Sequence, residues 1–281
     1  MEGSAPWAGM ATVVAVAFAL VTLERWRARG RPHELAWSLS MACFALGALT
    51  FLVAARAGWQ PWSFRLFYLS GGVVTVPVLA VGTVYLLAGR RWGNAIALLT
   101  LVVSAYAAGV VSTAPLHRPL VPHELNEGRE VLGVAPRALA AIGSGVGALV
   151  VIGGALWSAA VLLRRGARPG PRGGLPARRS SRPHSPGQLA VANLAIAAGT
   201  LLVSLKRPFE AITGSPGRGF ALALVCGLSL IFVGFLTATL DRSTGRVRAV
   251  PALSPPGAAV QPRSSRRSTL PVEPSGSSST N

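Results

Sequence analysis

Seven long apolar runs, separated by short segments that hold nearly all the charge, limit what this chain can become. A helix rises about 1.5 Å per residue, so roughly 20 apolar residues cross a bilayer core of about 30 Å. The runs cover about residues 7–23, 35–55, 64–88, 94–113, 138–163, 188–205 and 220–240. The expected fold is therefore all-α: a seven-transmembrane helix bundle over residues 1–242, followed by a disordered tail over 243–281. No basic residue precedes the first run, so it reads as a retained span rather than a cleaved signal peptide.

Charge distribution gives the bundle a direction. Charged residues make up 13% of the chain, about half the share usual in soluble domains. The net charge of +18 is almost entirely arginine. The segments that would share one face carry 19 basic residues, against 8 for the segments of the other face. Positive loops stay in the cytoplasm, which places the N-terminus outside and the C-terminus inside. Tryptophans support this alternation: Trp7, Trp59 and Trp62 sit at outer ends, Trp26, Trp37 and Trp92 at or near inner ends. Because the basic residues flank hydrophobic spans, they speak for membrane topology and against a nucleic-acid partner. Cys43 and Cys226 fall inside spans without redox or zinc spacing, and read as small buried residues.

The third run holds the most internal detail. Tyr68, Gly71, Gly72, Thr75, Leu79 and Gly82 lie along one helical face, a small and weakly polar stripe. Pro77 lies on the opposite face and removes the backbone bond to the Val73 carbonyl, which should open the helix there. The stripe reads first as the helix that the others pack against, with a cavity wall or hinge as the alternative. In the fifth run Gly143, Gly147 and Gly154 fall on one face, the first two in GxxxG spacing. Asn193 is the only amide inside a span rather than at its first residue, and aligns with Ala197, Thr200 and Ser204. An interhelical hydrogen bond is its first reading and a substrate contact its second.

Several chemistries lack their residues. Ser144 lies in GSG, similar to the serine motif of intramembrane proteases, but such a serine needs a base to take its proton. All four histidines, His33, His117, His123 and His184, lie outside the spans. Their placement also argues against transmembrane haem, and the seventh run has no lysine for retinal. No charged group sits at mid-membrane, where ion-coupled transporters and proton pumps keep theirs. Catalytic, cofactor and metal residues are therefore expected to be absent.

Between the fourth and fifth runs, residues 115–137 form the longest loop on the outer face, with His117, His123, Glu124, Glu127 and Glu130. These donors fit no closed metal motif and read as a solvated loop. Arg56 and Arg65 are placed to pair with the glutamates and close the loop over the bundle. On the other face, residues 164–187 and the tail are rich in Arg, Ser, Pro and Gly, and are expected to be disordered. Both suit anionic lipid head groups and protein partners.

FRLFYLSGGVVTVPVLAVGTVYLLAGRR, followed by SAYAAGVVSTAPL and RALAAIGSGVGALVVIGGALWSA, resembles a group of uncharacterised multi-pass membrane proteins of actinobacteria. The likeness covers roughly residues 35–240. It implies a protein of the cell membrane and supplies no activity, ligand or cofactor. Three functions are open: a non-enzymatic scaffold or sensor, which the absent chemistry favours; a transporter or channel for a neutral or lipidic molecule; and an enzyme on lipid or cell-wall intermediates. The candidate residues are Tyr68, Gly72, Thr75, Asn193 and Thr200.

Overall fold

Proline opens and glycine closes many of the helices, as their backbone limits require. The first hairpin shows the pattern. Helix α1 spans Ala5–Arg29, and Gly30 then takes a left-handed turn at φ 64°, its N–H donating to the Trp26 carbonyl. Helix α2 begins at once on Pro32 and runs Pro32–Ala57. A computed structural model of the chain describes residues 3–166, 186–204 and 207–237. The expected basic tail, and most of the expected basic loop, lie outside the described residues.

After α2 come α3 (Pro61–Phe67), a π-helix (Tyr68–Val74) and α4 (Thr75–Thr113). The loop of residues 114–133 contains the single turn α5 (Gly128–Val131). Helices α6 (Val134–Gly166), α7 (Pro186–Ser204), α8 (Arg207–Thr213) and α9 (Pro216–Thr237) complete the order. Among the described residues the regular structure is all helical, apart from one isolated bridge between Leu116 and Leu132.

Five helical stretches are long and apolar enough to cross a membrane: Ala5–Arg29, Pro32–Ala57, Pro61–Thr113, Val134–Val161 and Pro216–Thr237. Helix α7 contributes a shorter apolar stretch, Leu194–Val203. The 53-residue stretch would be about 80 Å long if straight, far more than a bilayer core. It is not straight. Gly89, at φ 82° and ψ −178°, divides α4 into a first arm (75–88) and a second arm (90–113). The arms run back along each other: Tyr85 donates to the Asn94 side chain at 2.8 Å, and Val84 and Ile96 line one shared groove.

Packing closes the helices into a ring. Helix α1 contacts α2, α2 contacts α4, α4 contacts α6, α6 contacts α7, α7 contacts α9, and α9 returns to α1. Small residues set the close approaches. On α6, Gly143, Gly147 and Gly154 face Pro77, Val76 and Thr83 of the first arm. On α2, a side chain at Gly47 would stand 3.1 Å from the Gly71 backbone. Outside the ring, Leu98, Leu101 and Leu149 are 64%, 66% and 73% exposed. Apolar exposure on that scale marks a surface that meets lipid or protein rather than water. Length, composition and exposure together fit a membrane-embedded protein.

The opening expected at Pro77 occurs one turn earlier and takes the form of a π-helix. With no N–H at Pro77, the helix there loses a bond, and the ladder slips ahead of it: the Thr75 N–H reaches the Ser70 carbonyl, five residues back. The Thr75 hydroxyl donates to the same carbonyl at 2.6 Å. Neighbouring helices take up the carbonyls along this segment. Ser40 of α2 donates to the Thr75 carbonyl at 2.7 Å, and Ser144 of α6 to the Gly72 carbonyl at 2.6 Å.

Candidate functional site

Where the small stripe of the π-helix and α4 faces the small residues of α6, the helices do not fill the space between them. A cavity of about 560 Å³ remains, much larger than the voids of a packed interior and within the range of ligand sites. Tyr68, Gly71, Gly72 and Thr75 form one wall. Ala140, Ala141, Ser144 and Ala148 form the facing wall on α6. Met41 and Phe44 of α2, Thr200 and Val203 of α7, and Phe220, Leu224, Leu228 and Ile231 of α9 complete it.

Gly72 shows why the space exists. A side chain built there would meet nothing nearer than the Tyr68 ring of its own helix, 4.0 Å away. The stripe is thus a cavity wall at Gly72 and a packing surface at Gly82, where any side chain would run into the Trp37 indole. Both readings of the stripe thus hold in different parts of it: bulky Trp37 fills one end, while alanines leave the other open.

The polar groups of the walls face backbone. Ser144 donates to Gly72, Thr75 to Ser70, and Thr200 to Ile196, each to a carbonyl oxygen. The body of the cavity is therefore apolar in effect. Tyr68 differs. Its ring stacks on Phe64 at 6.2 Å and abuts Gly128, while its hydroxyl has no hydrogen-bond partner among the described residues.

Charge appears only at the mouth. Asn126, Glu127, Gly128 and Arg129 of the 114–133 loop, with Arg137 of α6, rim that end. Arg129 pairs with Glu127. Past the last lining residues at the opposite end, Leu79 and Ile231, an aromatic plug lies about one turn further on: Trp37 meets Phe235 edge-on at 5.7 Å, and Phe235 meets Phe18 at 5.0 Å. Arg25 lies over the Phe235 ring at 5.0 Å, a cation–π contact that holds the plug from beyond.

The loop closes over the bundle, but not through the expected arginine–glutamate pairs. Arg65 donates instead to the Ala114 carbonyl at 2.9 Å. Trp59 holds the loop by two bonds, its backbone N–H to the Pro122 carbonyl at 3.0 Å and its indole N–H to the Glu124 carbonyl at 2.8 Å. Asn126, 9% exposed, ties the turn to Val121 and Glu124. Val131 and Leu132 are buried against Phe51, Trp59 and Phe64. The loop is a cap packed on one side through Asn126, Val131 and Leu132, while His117, His123, Glu124 and Glu130 stay exposed as a solvated loop would have them. Its His117 abuts Gly133 and its His123 faces Gly58. The described residues hold no group of three or more metal-ligating side chains.

Of the candidate residues, Tyr68, Gly72, Thr75 and Thr200 come together on this one cavity. Asn193 belongs to α7, but its side chain lies outside the described residues. Sequence reasoning missed Arg137 and residues 126–129, which reach the cavity only through the fold. The one local signal was the run Ala140, Ala141, Ser144, Ala148, a second small face on α6 beside the glycine face. Compared with protein-family models, curated proteins and solved structures, the chain has no match.

Proposed function

We propose that this chain is a non-enzymatic integral protein of the cell membrane that binds a lipidic small molecule in the ringed cavity, acting as a sensor or scaffold for partner proteins. In this reading it crosses the membrane seven times. Gly89 splits the 53-residue stretch into two crossings, α7 supplies another, and the N-terminus lies outside. The resemblance to actinobacterial multi-pass proteins accords with it and adds no ligand. The observation that carries the reading is the cavity itself, apolar along its walls, polar at one mouth and with the Trp37 and Phe235 rings packed beyond its other end. That plug favours binding over passage through the bundle, and so favours a sensor over a channel. The wall hydroxyls are already bonded to backbone, and no lining histidine stands ready as a base among the described residues. Both points favour holding a molecule over converting it.

Native mass spectrometry of the full chain released from its own membrane tests this. The expected result is a bound species of a few hundred daltons, lost in Gly72→Phe, whose ring fills the cavity. Wild type and Gly72→Phe that both emerge without an adduct, and bind the apolar fluorophore 1-aminoanthracene equally, would overturn the reading. Topology is tested separately by reporter fusions at residues 124 and 281, with only the first expected to lie outside.

A further inference from the structure

This inference deepens the cavity reading and rests on it. The cavity walls are about one leaflet deep. On α6 the lining runs from Arg137 to Ala148, about 17 Å of helix, or roughly half of a 30 Å bilayer core. Phe220 to Ile231 covers a similar depth on α9. Both lengths begin at the polar mouth and end above the aromatic plug. A linear apolar chain anchored at the mouth would thus reach about the midplane.

The mouth is not electrically balanced. Glu127 neutralises Arg129, but among the described residues no carboxylate is joined to Arg137. Arg137 stands in the first turn of α6, where the helix dipole adds to its attraction for negative charge. It is also within electrostatic reach of Tyr68, whose hydroxyl has no bond of its own among the described residues. A guanidinium and a phenol, both unengaged, therefore stand at the top of an apolar shaft of ligand size. Guanidinium suits carboxylate and phosphate oxygens through its forked donors.

We propose that the cavity takes a single-chain amphiphile with an anionic head, the head on Arg137 and the Tyr68 hydroxyl and the chain along the apolar walls. The three probes are hexadecanoate, hexadecyl phosphate and hexadecanol, which share one chain and differ in the head. Each competes with a dansyl-labelled undecanoate for the purified full chain in a non-ionic detergent. Wild type should hold at least one of the two anions about tenfold or more tighter than the alcohol, the scale of a hydrogen bond to a charged group. The stronger of the two identifies the head. Arg137→Gln should abolish that preference while leaving hexadecanol binding unchanged. Arg118→Gln, at an exposed arginine of the 114–133 loop, should keep it. Tyr68→Phe should reduce it severalfold.

Wild type holding hexadecanol as tightly as both anions, or Arg137→Gln keeping the preference, would overturn the anionic head and leave the cavity as a neutral site. Failure of all three probes to displace the label would overturn both this inference and the cavity reading. Arg137 is exposed, so its substitution should leave folding intact. Equal thermal midpoints of Arg137→Gln and wild type verify that the loss is one of binding.

Discussion

The Ser144 hydroxyl of α6 donates to the Gly72 carbonyl at 2.6 Å, in the middle of a π-helix. A serine that reads in sequence as part of a protease-like GSG step instead caps a widened turn in a neighbouring helix. The bond joins the two small-residue walls of the cavity. In membranes such interhelical bonds average about 0.6 kcal/mol, with a maximum near 1.7. Ser144→Ala should therefore lower the thermal midpoint in detergent by a few degrees. Ser104→Ala, on the second arm and without such a bond, should leave it unchanged. Equal midpoints for the two variants would show that the π-helix does not depend on α6.

The glycines of the stripe should part company on substitution. Gly82 faces the Trp37 indole, itself held between His33 and Phe235, so an added methyl has nowhere to go. Gly72 faces the cavity. Overpacking of a filled site is destabilising by about 1–3 kcal/mol, and Gly82→Ala should show that as a lower midpoint and poorer yield. Gly72→Ala should be neutral or slightly stabilising, since alanine is the better helix former. The measurement is the pair of thermal midpoints, and their order is the result.

These contrasts show how far one dimension reaches. Helix positions follow from apolar run length and from where Pro32, Pro61 and Pro216 can start a helix, so they were legible. A shared face on the third run was legible too, since spacing alone aligns Tyr68, Gly72 and Thr75. Whether that face meets a neighbour or a void depends on what stands opposite, and that is Trp37 at Gly82 but Ala141 and its neighbours at Gly72. The donors that meet carbonyls in and just after the π-helix, Ser144 and Ser40, are remote in sequence. Arg65 was placed correctly at the loop end, but its partner is a backbone carbonyl, and any residue supplies one of those.

Glu34 is 1% exposed, and its Oε1 lies 3.2 Å from Arg25 and 3.8 Å from Arg29. The pair joins the end of α1 to the start of α2, directly beside the aromatic plug. Removing one member of a buried ion pair typically costs about 3–5 kcal/mol, because the other charge is left uncompensated. Arg25 and Arg29 keep 18% and 34% side-chain exposure, so the lower end of that range applies. Glu34→Ala should reduce the midpoint more than Ser144→Ala does, by on the order of 6 °C or more. In a double-mutant cycle with Arg25→Ala the two effects should fall short of additive. Strict additivity would mean the pair contributes nothing.

Trp59 is the loop's anchor, and its indole bond can be removed with little else. Trp59→Phe keeps an aromatic ring in contact distance of Phe51, Phe64 and Phe67, but loses the donor to the Glu124 carbonyl. The backbone bond from residue 59 to Pro122 survives the change. A neutral hydrogen bond contributes about 1 kcal/mol net, which corresponds to roughly a fivefold shift in a local opening equilibrium. Amide hydrogen exchange over residues 121–126 should therefore quicken about fivefold in Trp59→Phe, while exchange in α2 and α9 stays as in wild type. Because these residues adjoin the cavity mouth, dissociation of a bound amphiphile should quicken with them. Faster exchange spread through the whole bundle would instead make Trp59 a general packing residue, and its indole bond would not be a local anchor of the cap.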